Sequence, residues 1–122
     1  MSVEDDEESA YTLLERGKGL LESGNPAKAV VLLQRALVAE PRKGSILEML
    51  GRAEYSCGRY QAASVRFEDA LEVDPTNDYA HYCLGLCCLK TKSGRKAGGH
   101  FKLAWQLSPK EMYSEMAARF GA

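Results

Sequence analysis

Residues 51–77 read GRAEYSCGRYQAASVRFEDALEVDPTN. The same plan stands 34 residues earlier (51−17) as GKGLLESGNPAKAVVLLQRALVAEPRK over 17–43, and 34 later (85−51) as GLCCLKTKSGRKAGGHFKLAWQLSPKE over 85–111. Five columns hold this register. They are Gly17, Gly51 and Gly85; Ala29, Ala63 and Ala97; Leu33, Phe67 and Phe101; Ala36, Ala70 and Ala104; and Pro41, Pro75 and Pro109. A period of this length signals one helix-turn-helix unit stacked on copies of itself. The residue types suit such a stack. Small residues let two helices cross closely, a bulky residue fills the space beside the crossing, and proline marks the boundary because it cannot extend a helix. Three units are about the minimum that buries a continuous core.

The pattern predicts seven helices, at about 10–23, 26–39, 45–57, 60–73, 78–90, 95–107 and 110–120. Asn25-Pro26 reads as an N-cap with proline in the first turn. Ser45 with Glu48, and Ser108 with Glu111, read as capping boxes. Gly24 and Gly58 close the first helices of two repeats in the left-handed conformation that glycine tolerates. Lys92 takes that position in the third repeat and Gly94 follows two residues later, which predicts a longer or differently shaped turn at 91–95. Gly98-Gly99 weakens the sixth helix by on the order of 1 kcal/mol per glycine, so either another backbone packs closely there or the repeat is locally soft. Met112, Met116 and Phe120 give the seventh helix one apolar face, and Trp105 is expected beneath it.

On these columns the chain resembles the tetratricopeptide repeat (TPR) family over roughly residues 10–111. The resemblance implies an all-α, right-handed superhelical stack. It divides the chain into an acidic lead-in (1–9), repeats at 10–43, 44–77 and 78–111, and a capping helix at 112–122. It further implies that the first helix of each repeat lines a concave face. Helical periodicity then offers Leu14, Lys18, Met49, Arg52, Tyr79, Tyr82 and Leu86 as groove residues: an apolar and aromatic strip with Lys18 and Arg52 as cations on its edge. Tyrosine suits a binding surface because it joins apolar area to a polar tip. One TPR subclass clamps a chaperone's C-terminal carboxylate with Lys, Asn and Arg side chains. The matching positions here are Leu14, Lys18, Met49, Tyr79 and Cys83, and only Lys18 offers a polar donor, so that clamp is absent.

Composition narrows the function. With 45% hydrophobic and 27% charged residues, the chain has the balance of a soluble globular domain. No apolar run approaches the ~20 residues of a membrane span, and the acidic start does not read as a secretory signal; a cytoplasmic protein is expected. The net charge is −1, but Glu4, Asp5, Asp6, Glu7 and Glu8 gather at the start, while Lys90, Lys92, Arg95, Lys96, Lys102 and Lys110 crowd the third repeat. The acidic head offers a partner for that basic end, in its own chain or a neighbour, though such runs are usually solvated. The low net charge and the lack of a basic-aromatic platform argue against nucleic acid.

Cys57, Cys83, Cys87 and Cys88 read as small buried hydrophobes, at home in a reducing compartment. With only two histidines in the chain, no structural metal set and no cofactor is expected. Phosphate-loop, nucleophile-elbow and HExxH patterns are missing, so the protein is read as non-enzymatic. The leading function is a protein-interaction module that takes a peptide or helix of a partner in its concave groove. The alternative is a scaffold that self-associates through its C-terminal helix into a homo-oligomer.

Overall fold

The structure, a computed structural model, describes residues 8–121. These form seven α-helices and no strand among the described residues: α1 (Ala10–Glu22), α2 (Pro26–Ala39), α3 (Gly44–Ser56), α4 (Tyr60–Val73), α5 (Asp78–Lys90), α6 (Gly94–Leu107) and α7 (Glu111–Phe120). Pairs α1–α2, α3–α4 and α5–α6 pack as hairpins, successive hairpins stack, and α7 closes the end against α6. The first helices α1, α3 and α5 also touch in sequence along one side.

Each hairpin is held by the same steric pair. A Cβ built on Gly17 would lie 2.6 Å from Leu33, one on Gly51 2.8 Å from Phe67, and one on Gly85 2.4 Å from Phe101. Only glycine lets the two helices approach while the partner's large side chain stays fully buried between them. The alanine columns lie at the same crossings and are completely enclosed. Steric necessity repeated three times is therefore the origin of the sequence period.

The turns inside the hairpins are identical in length. Each is closed by one backbone bond that also recurs every 34 residues: Asn25 N–H to Leu20 O (2.8 Å), Arg59 N–H to Glu54 O (2.8 Å) and Ser93 N–H to Cys88 O (2.7 Å). Gly24 and Gly58 take φ of 83° and 77°, and Lys92 takes φ of 62°. The altered turn expected at 91–95 is thus not formed. Lysine accepts the left-handed conformation because the helices on either side fix the loop, at a local cost of roughly 1 kcal/mol.

Capping differs from expectation. Lys43 precedes α3 and Lys110 precedes α7, neither with a side-chain cap, so the boxes at Ser45 and Ser108 do not form. The side chain of Asn25 also makes no cap bond. Ser9 and Asn77 do the capping instead, accepting from the N–H groups of Thr12 and Ala80 at 3.1 and 3.0 Å. Asn77 also donates to Glu48 Oε2 at 3.1 Å, which ties α3 to α5.

The seventh helix docks differently from its apolar pattern. Its fully buried anchor is Tyr113; Met112 is exposed, and Met116 and Phe120 are half-buried. The Tyr113 hydroxyl donates to Asp78 Oδ2 at 2.7 Å, and its ring lies 5.2 Å from that of Tyr82. Lys110 Nζ reaches the same Asp78 oxygen at 3.5 Å. At the other end of α7, a Cβ on Gly98 would lie 2.1 Å from the carbonyl oxygen of Phe120. Close backbone approach therefore explains Gly98, whereas Gly99 faces open space. Trp105 is 45% exposed and lies beside Ser114, Ala117 and Ala118 of α7 rather than beneath it; the ring of Phe120 packs on Phe101 at 5.9 Å, and that of Tyr113 on Tyr82.

Candidate functional site

The first helices place their inward faces around one open cavity of about 350 Å³. Leu21 comes from α1; Arg52, Tyr55 and Ser56 from α3; Tyr79, Cys83 and Leu86 from α5; and Phe67 reaches in from α4. Of the groove residues expected from sequence, Arg52, Tyr79 and Leu86 line it. Met49 stands behind Arg52, whose Nη1 donates to the Met49 sulfur at 3.8 Å. Leu14 packs into the core between the first two repeats. Lys18 is exposed and is not among the lining residues. Tyr82 faces the cap, its ring 5.9 Å from Phe101 and 5.2 Å from Tyr113. The cavity is therefore narrower than the seven-residue strip and centred further along the helices, on Arg52 and Tyr79.

Arg52 is the cation of this site. Its guanidinium carbon lies 5.9 Å from the centre of the Tyr79 ring, within the range of a cation–π contact. Among the described residues it pairs with no carboxylate; the nearby Glu48 is engaged by Asn77. Burial, and after it the neighbouring Cys83 thiol, hold the Tyr79 hydroxyl well above its ordinary range. Burial pushes the Cys83 thiol up to about 12. Both groups are neutral at ordinary pH, so the wall around Arg52 is apolar with weakly polar tips. Such a wall takes apolar side chains, and Arg52 supplies planar N–H donors that match a carboxylate.

Among the ion pairs that sequence reasoning missed, one is buried. Glu54, 2% exposed, accepts from Arg66 Nε at 3.1 Å, linking α3 to α4. Burial raises the Glu54 pKa, against the pull of Arg66 and then Arg59. The signal was present in the repeat register, where Glu54 and Arg66 replace the first repeat's Leu20 and Leu32: two apolar positions that turn polar together. Near the chain start, Glu8 pairs with Arg16 and also reaches Arg35 at 3.8 Å. Its partners are thus in the first repeat and not at the basic end; residues 4–7 of the acidic head lie outside the described residues. Lys110 is paired with Asp78 within its own repeat. Among the described residues, no helix is long and apolar enough to cross a membrane.

Two family profiles match the chain, one described as tetratricopeptide repeat over residues 14–64 and one as TPR repeat over 51–91. The chain is similar to superkiller complex protein 3 of Homo sapiens, and equally of Mus musculus, at 39% identity over 70 residues. That match covers 57% of this chain but 4% of the relative. Solved structures of like shape include the second TPR domain of human RPAP3 in complex with an HSP70 peptide. Its TM-score is 0.86 at 17% identity, covering 93% of this chain and 95% of that one. Another is the type III secretion chaperone SycD of Yersinia enterocolitica in complex with a peptide of the translocator YopD. Its TM-score is 0.84 at 17% identity, covering 90% of both chains. A third is YrrB, described as a TPR protein with an unusual peptide-binding site, with TM-score 0.86 at 22% identity over 93% of this chain and 58% of that one. At these identities the likeness to solved structures is one of fold. The repeat columns, the glycine crossings and the two profiles agree, and the chain belongs to the tetratricopeptide repeat family.

Proposed function

We propose that this protein is a non-enzymatic interaction module that takes a short segment of another protein, as a peptide or a helix, into the cavity between α1, α3 and α5. The observation that carries this reading is Arg52: a half-buried cation with no carboxylate partner among the described residues, held between Met49 and Tyr79 over an apolar cavity. Such a site favours a segment with one carboxylate, from a side chain or a C-terminus, flanked by apolar residues. The peptides seen on similar folds support the mode of binding. The missing clamp donors at Leu14, Met49, Tyr79 and Cys83 point to a cargo other than the HSP70 peptide bound by the RPAP3 domain. The free thiols favour a reducing, cytoplasmic setting.

A displayed library of random peptides with free C-termini provides the test. Peptides selected on the wild-type protein lose affinity at least tenfold on Tyr79→Ala, and are selected against when their carboxylate is amidated. Retention of binding by both Tyr79→Ala and Arg52→Gln, with loss on an exposed α2 change such as Gln34→Ala, contradicts the reading.

Self-association is a second reading, supported by the exposure of Leu103, Trp105, Leu107 and Met112 at the C-terminal end. Sedimentation across a concentration range, with Trp105→Ser as comparison, distinguishes the two.

A further inference from the structure

The chain has two histidines, and the fold sets them against each other. His81 of α5 and His100 of α6 approach Nδ1 to Nδ1 at 3.4 Å. Their ring centroids are 5.7 Å apart and their planes 29° apart. The nitrogens are 2.3 Å closer than the centroids (5.7 − 3.4), which puts both between the rings and aims them at one another. One proton fits there: a neutral ring donates Nδ1–H to the bare Nδ1 of the other. A second proton turns the contact into two cations face to face in a half-buried site.

The surroundings do not relieve that repulsion. Burial is the main reason that both rings hold a proton less readily than a free imidazole; His81 and then Lys96 of α6 add to the effect on His100. The Pro75 carbonyl, in the connection from α4, acts the other way on His81. Cys88 of α5 is a neighbour of Lys96. Among the described residues, no carboxylate acts on either ring. In the first repeat the same two register positions are Leu13 and Leu32, buried together in one apolar cluster. The third repeat has therefore replaced a permanent apolar contact with one that depends on protonation.

We propose that the His81–His100 contact is a proton-operated latch that holds α5 to α6 near neutral pH and releases them in mild acid. The cap goes with it, because α7 is anchored on both helices, through Tyr113 to Asp78 on α5 and through the Phe120 backbone against Gly98 on α6. The sign follows from linkage. Unfolded histidines take up protons below about pH 6.5, while the folded pair resists, so stability is complete above that value and falls as pH drops through it. The proposal is independent of the groove reading.

Amide hydrogen exchange on the whole protein, corrected for the intrinsic pH dependence, tests it. Between about pH 7.5 and pH 5.5, protection in 78–120 is expected to fall about tenfold or more while the first repeat keeps its own. The double substitution His81→Leu and His100→Leu, which copies Leu13 and Leu32, removes that fall. If the double variant does not fold, imidazole NMR titration of the wild type decides. Two separate steps below the ordinary value are expected of a coupled pair. Coincident titrations at about pH 6.5, or an acid-induced loss shared equally by the first and third repeats, overturn the proposal.

Discussion

The first and third repeats share a frame and differ at almost every position around it. Gly17 against Leu33 and Gly85 against Phe101 make the same close crossing, and the alanines beside them are equally enclosed. Around that crossing the first repeat is apolar, with Leu13, Leu20 and Leu32, and turns through Gly24. The third has His81, Cys88 and His100 in those positions and turns through Lys92. The middle repeat lies between them, with Leu47 but also the pair Glu54–Arg66. The difference teaches that the stack is specified by a few steric contacts at the helix crossing. Positions one turn away tolerate polar and ionisable groups provided that they meet a partner.

The largest expected effect comes from breaking such a partnership. Arg66→Leu leaves the Glu54 carboxyl buried without its cation and should cost about 3 kcal/mol, read by chemical denaturation. Adding Glu54→Leu restores the first repeat's Leu20–Leu32 arrangement, and stability should return to within about 1 kcal/mol of the parent or exceed it. If the double variant stays as unstable as the single one, the repeats are not interchangeable at this position.

Next in size is the glycine pair of α6. Gly98→Ala drives a Cβ into the Phe120 carbonyl and should destabilise the cap by on the order of 2 kcal/mol. Gly99→Ala meets nothing within 4 Å and should stabilise the helix by about 0.5–1 kcal/mol. Thermal unfolding of the two variants side by side checks the opposite signs. The smallest effect is Lys92→Gly, which gives the third turn the residue of the other two. Relief of the left-handed lysine is worth up to about 1 kcal/mol, partly offset by the greater freedom of glycine in the unfolded chain. A loss of stability would show that the Lys92 side chain matters to the turn.

These comparisons also mark what the sequence reveals. The crossings and helix limits were legible because steric need writes the same small and large residues at fixed spacing three times. The cap was not, because α7 has no second copy to align with. Its apolar periodicity suggests Met112 and Met116, whereas Tyr113 wins the buried place by combining ring packing with a hydrogen bond to Asp78. The caps at Ser45 and Ser108 were legible as motifs yet do not form; α3 begins one residue before Ser45, and Lys110 rather than Ser108 stands at the start of α7. The groove was partly legible. Periodicity assigns residues to a helix face, but the twist between successive repeats decides which of them converge. That twist brings Arg52, Tyr79 and Leu86 to the cavity and leaves Lys18 and Tyr82 outside it. The Glu54–Arg66 pair was readable only by comparing columns for polar residues that change together.

On the proposed function, the repeated frame presents the Arg52–Tyr79 cavity to a peptide. Chemical-shift mapping on the isotope-labelled protein, titrated with a peptide from the free-C-terminus library, tests it most directly. The account predicts that the perturbed amides gather at Leu21, Arg52, Tyr55, Tyr79, Cys83 and Leu86, and that Arg52→Gln erases the response. Perturbations confined to the outer faces of α2, α4 and α6, unchanged by Arg52→Gln, would contradict it.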